Sequence, residues 1–143
     1  MDRMQPIALT AATYTLTAEA HSGTTLVATR AAGITCTLPA ALGYGSDYHF
    51  FVSTTITSNS LIVKVANSTD VMQGAAFVAQ DAADTLVAFE TASTTDTITM
   101  NGSTLGGIRG DRIRIKDVAA GLYEVQIYSS ATGTEATPFS ATV

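Results

Sequence analysis

Hydrophobic and polar residues alternate along most of the chain with a period of two, the repeat of a β-strand, and seldom with the 3.6-residue repeat of a helix. Residues 14–17, 24–29, 34–38, 48–53 and 61–66 each set β-branched or aromatic side chains at strand length between turn formers. Residues 85–91, 96–100, 111–117 and 122–128 continue the pattern, punctuated by Asn101-Gly102, Leu105-Gly106-Gly107 and Ala120-Gly121. Short, regularly spaced strands of this kind predict an all-β fold: a single-domain antiparallel β-sandwich, jelly-roll-like or barrel-like, over residues 14–143. The stretch VAQDAA, residues 78–83, reads either as a helical turn or two or as a loop. Residues 1–13 lack strand alternation, and a flexible N-terminal arm is expected there.

Within a strand the alternation also assigns faces. Ile34, Cys36 and Leu38 point one way and Thr35 and Thr37 the other; Tyr48, Phe50 and Val52 share a face opposite His49 and Phe51. In DRIRIKD, Ile113 and Ile115 face inward while Arg112, Arg114 and Lys116 form one basic stripe outward.

Composition changes this picture in one respect. A chain of 143 residues fits one domain, and at that size roughly two-thirds of the unfolded surface is buried without staples. Charged residues are only 13% and hydrophobic ones 46%, so the exterior is unusually neutral. Two explanations stand side by side: Thr, Ser and Ala cover a solvated face, or part of the exterior is hidden against partner subunits, where charge is depleted. A net charge of −5 with seven basic residues argues against nucleic acid, which needs cations to neutralise its phosphates. Cys36 is the single cysteine, which rules out an intrachain disulfide and suits a small buried hydrophobe. MDRMQPIALTAAT holds no continuous apolar stretch of signal-peptide length, and no apolar run reaches the roughly 18 residues of a membrane helix. Synthesis and folding in a cytoplasm, without a membrane partner, are expected.

Few residues suggest chemistry. His21 and His49 are the only histidines and lack metal-site spacing; Asp70, Asp81 and Asp84 lack the glycine and distal glutamate of a calcium loop and read as loop solvation. No G-x-S-x-G, P-loop or G-x-G-x-x-G occurs. Paired carboxylates for glycoside hydrolysis are a matter of spatial rather than sequence spacing, but a chain without tryptophan lacks the usual sugar-stacking platform. No catalytic residue, metal ligand or cofactor site is assigned, and an enzyme is not expected. Arg109-Gly110-Asp111 spells an adhesion tripeptide that turn geometry explains as well, and Asn67-Ser68-Thr69 and Asn101-Gly102-Ser103 match a glycosylation pattern that requires secretion. Asp111 and Asp117 are expected to offset the basic stripe, which reads as a solvated or subunit-facing edge strand.

Five segments together carry a resemblance: Leu38-Pro39-Ala40-Ala41-x-Gly43; Tyr48-x-Phe50-x-Val52; Asp70-x-Met72-x-Gly74; Gly121-Leu122-Tyr123-x-Val125; and Gly133-Thr134-x-x-Thr137-Pro138-Phe139. The chain resembles the small decoration, or cement, proteins of tailed-bacteriophage heads. The resemblance implies a non-enzymatic virion protein on the outer capsid surface, bound to the major capsid protein and commonly a homotrimer. Capsid contacts are expected from the arm residues Met1, Asp2, Arg3, Met4, Gln5, Pro6 and Ile7 and from the stripe Arg112, Arg114 and Lys116. The alternative is a phage fibre or receptor-binding β-module; a carbohydrate-active enzyme ranks third.

Overall fold

The computed structural model describes residues 5–143. It is 48% strand and 3% helix, which places the chain in the all-β class. The elements run β1 Ile7–Leu9, β2 Thr13–Thr15, α1 Ala18–His21, β3 Thr25–Ala28, β4 Ile34–Thr37, β5 Asp47–Val52 and β6 Leu61–Lys64. They continue with β7 Val71–Gln80, β8 Leu86–Glu90, β9 Thr97–Met100, β10 Arg112–Ala119, β11 Leu122–Ala131 and β12 Phe139–Ser140. One sheet has seven strands in the order β1-β3-β5-β10-β11-β7-β8, and the other has five in the order β12-β9-β6-β4-β2.

The first six strands alternate between the two sheets. β1, β3 and β5 pair in parallel in one, and β2, β4 and β6 in the other. The chain thus winds as a flattened coil of three turns, each strand returning beside its predecessor after crossing to the opposite sheet. From β7 onward the pairing is mostly antiparallel, apart from the long parallel pair of β7 with β11. The expected antiparallel sandwich is therefore a mixed, sandwich-like pair of sheets. Alternation of period two is common to parallel and antiparallel strands, so it carries the face of each residue and not the direction of its neighbour.

The inner faces meet in one core. Leu26, Phe50, Ile113, Ile127 and Ala76 form a continuous cross-strand row, every member at most 1% exposed. Ile34, Cys36, Leu61, Val63, Ile98 and Met100 oppose it from the five-stranded sheet and belong to the same cluster. Each fully buried side chain of this size stabilises the fold by roughly 1.5–3 kcal/mol. Burial also pushes the Cys36 thiol up to about 12, as an inert hydrophobe requires.

Two further expectations need correction. The segment read as a flexible arm is part of the domain where it is described: β1 adds an edge strand beside β3, Leu9 is fully buried, and Gln5 O accepts a 2.7 Å bond from Thr24 Oγ1. Ile7 packs against the core, whereas Met1, Asp2, Arg3 and Met4 lie outside the described residues. The stretch at 78–83 is neither helix nor wholly loop, since β7 runs through Gln80 and only the turn at 81–84 leaves the sheet. Gly74 lets β7 pass there: at φ +157° its Hα faces the Val125 carbonyl of β11, and a Cβ would overlap that oxygen.

Candidate docking surfaces

Buried aspartates, not solvated ones, shape the loops. Asp117 shares the odd-numbered face of β10 with Ile113 and Ile115, and Asp111 immediately precedes the strand; the two are 4% and 3% exposed, so they do not offset the outward stripe. Asp117 accepts from the amides of Leu42 (3.1 Å), Gly43 (2.6 Å) and Tyr44 (3.2 Å). Asp70, also buried and not the solvated loop residue expected, accepts from the Ala41 amide at 2.8 Å. Tyr123 donates to the Pro39 carbonyl at 2.5 Å, and its burial raises the phenol above the usual range. Asn67 in turn sets Asp70: its Oδ1 accepts from Thr69 N and Asp70 N, a local Asx turn. Asn101 does the same for Ser103 and Leu105. Both glycosylation-like triplets therefore have a turn to make.

The result is a rigid protrusion. Backbone bonds Gly45 N to Asp117 O, Asp117 N to Ser46 O and Gly121 N to Ala41 O close the frame. Leu42 (54% exposed), Tyr44 (80%) and neighbouring Val118 (42%) are left outside it as an apolar tip. Tyr44 follows the segment Leu38 to Gly43 that carries part of the resemblance, and nothing in the sequence pattern marked it. The usable signal was the carboxylate parity on β10, which places an acceptor behind the loop.

The second surface is the outer face of the seven-stranded sheet. Pairing registers align Phe51, Arg112, Tyr128, Phe77 and Ala88 in one row and His49, Arg114, Gln126, Ala75 and Glu90 in the next. Phe77 and Tyr128 stack with centroids 5.8 Å apart and planes at 21°; the Arg112 guanidinium lies 5.9 Å from the Tyr128 centroid. With Leu86 and Arg109 they line an open hollow of about 610 Å³. The structure brings Arg112 and Arg114 together on this face as exposed groups, with Lys116 half-buried beyond them. The carboxylate beside the stripe is Asp47, 3.2 Å from Arg114 Nη2 and 3.4 Å from His49 Nε2. The arm residues Gln5 to Ile7 lie apart from the stripe, beside β3, two strands from β10 in the sheet order.

The adhesion tripeptide is not displayed as one. Asp111 accepts from the amides of Gly107, Ile108 and Ser130 at 2.8, 3.0 and 2.9 Å, and burial raises its carboxyl against the lowering effect of those bonds. No group of three His, Cys, Asp or Glu side chains suited to a metal ion occurs among the described residues. No helix among them is long and apolar enough to cross a membrane. Neither the family models, nor the characterised proteins, nor the solved structures compared with this chain match it.

Proposed function

We propose that the protein is a structural adhesion module that docks on the outer surface of an assembled particle. In this reading, which rests on the resemblance to tailed-phage decoration proteins, the particle is a capsid, the partner the major capsid protein and the site of action the virion exterior. The observation that carries the docking reading is Tyr44, 80% exposed on a loop whose amides are fixed by the buried Asp117 carboxylate. An aromatic whose backbone is fixed before contact has only its side-chain rotamers left to order on binding, and tyrosine at the centre of a contact is a frequent source of affinity. A ligand that binds the assembled shell and not its dissociated subunits stabilises the shell by mass action, and many copies add.

The test uses particles assembled without the protein. Tyr44→Ala should keep the fold and melting temperature and lower co-sedimentation with the particles at least about tenfold. Equal co-sedimentation of Tyr44→Ala and the parent chain overturns the tip as the anchor. Binding of the parent chain to intact host cells and not to heads moves the reading to a fibre or receptor-binding module.

A further inference from the structure

The outer face formed by β10, β11, β7 and β8 changes sign across its width. Arg112 and Arg114 stand on β10, with Arg109 in the preceding turn; Glu90 stands on β8, with Asp81 and Asp84 in the turn before it. Between them lie Tyr128, Phe77, Ala75 and Ala79, with Leu86 at 63% exposure on β8. Among the described residues Arg109, Arg112, Asp81, Asp84 and Glu90 make no ion pair. Three strand spacings, about 14 Å, separate the basic side from the acidic side.

We infer that a second copy of this chain docks here, face to face, about a two-fold axis parallel to the strands and between β11 and β7. That rotation carries β10 onto the partner's β8 and β11 onto the partner's β7. Because the registers put Arg114 and Glu90 in one row, and Tyr128 and Phe77 in another, each row meets itself reversed. Arg114 then faces the partner's Glu90, Tyr128 packs on the partner's Phe77, and Arg109 reaches toward the partner's Asp84. A two-fold axis running across the strands would lay β10 on β10 and set like charges together, so the charge pattern selects one axis. Nucleic acid is disfavoured by the acidic β8 side. A partner with no charge would leave Arg109, Arg112, Asp84 and Glu90 unpaired, Arg114 alone keeping its pair with Asp47, whereas a self-complementary patch is what an isologous interface requires. The inference is independent of the docking reading, since the Leu42–Tyr44 tip lies at the opposite end of β10 from Arg109.

Sedimentation velocity of the full chain over a concentration series tests it. The parent chain should reach a dimer, weakened by salt. The acid-reversed variant (Asp84→Lys with Glu90→Lys) and the base-reversed variant (Arg112→Glu with Arg114→Glu) should each stay monomeric with an unchanged circular dichroism spectrum. Their equimolar mixture should recover the dimer, because each reversed side then meets its opposite. A parent chain that stays monomeric, a trimer (the assembly the resemblance implies), a reversed variant that still dimerises alone, as edge-to-edge pairing of β8 would allow, or a mixture that stays monomeric each overturns the inference.

Discussion

The two outer faces of this molecule are built on the same period and differ in almost everything else. On the five-stranded sheet the rows read Thr13, Thr35, Ile62, Thr99 and Thr15, Thr37, Lys64, the second ending on Thr97, which is buried beside Asp96 and Thr142. On the seven-stranded sheet the corresponding rows carry arginine, stacked aromatics and glutamate. Threonine is a good strand former whose hydroxyl keeps a face wet without charge, so the first face accounts for much of the low charge of the chain. The second concentrates charge in two opposed strips around an apolar middle. The two faces thus separate two ways of covering a sheet: one is covered mainly by threonine, and the other sets charge on either side of an apolar middle.

The contrast can be broken in graded ways. The largest expected effect is on the frame beneath the tip, at the end of the seven-stranded sheet. Asp117→Ala removes the acceptor from three amides and should cost roughly 3 kcal/mol, a fall of about 10 °C in melting temperature by scanning calorimetry. A melting temperature within a degree or so of the parent's would mean that water replaces the carboxylate at no cost. Next, Phe77→Thr with Tyr128→Thr makes the aromatic row resemble the threonine rows opposite. Self-association by sedimentation should disappear, while stability measured by urea unfolding changes by about 1 kcal/mol, the scale of one aromatic pair. Retained association would deny that face its role. The smallest effect belongs to the threonine face: Thr35→Ala with Thr99→Ala should leave sedimentation unchanged and stability within about 1 kcal/mol. A loss of association there would erase the distinction between the faces.

Strand faces were largely legible in the sequence because alternation is a local property. Ile113 and Ile115 read inward and Arg112 and Arg114 outward, as the structure has them. The same parity placed Asp111 and Asp117 inward, yet their charge suggested exposure; alternation names no partner for a carboxylate, neither the nearby turn amides of Gly107 and Ile108 nor the amides of Ser130 and Gly43 far along the chain. β7 was hidden because Gly74, Ala75 and Ala76 are too small to mark a face, and β1 because three residues make no period. Of the candidate contact residues, the stripe was visible as a stripe. Its neighbours Tyr128, Phe77 and Glu90 became a surface only through registers that join strands far apart in the chain.

The three-turn coil also bears on the order in which the chain can acquire its structure. In it, strands that pair are separated by one strand of the opposite sheet, with the short α1 added in the first turn: β3 beside β1, then β5 beside β3, with β4 and β6 stacking likewise. Each pairing closes a short loop, so each turn has a template as soon as it leaves the ribosome. By contrast β5 waits for β10, with Phe51 meeting Arg112, and β7 waits for β11. Those long closures are the slow ones. During synthesis, therefore, the N-terminal turns assemble progressively while β5 keeps an open edge until β10, translated well after it, covers that edge. Pulse-labelled hydrogen exchange on stalled nascent chains should show protection in β3 before β10 has emerged; simultaneous protection would mean that the clasp and the coil form as one unit.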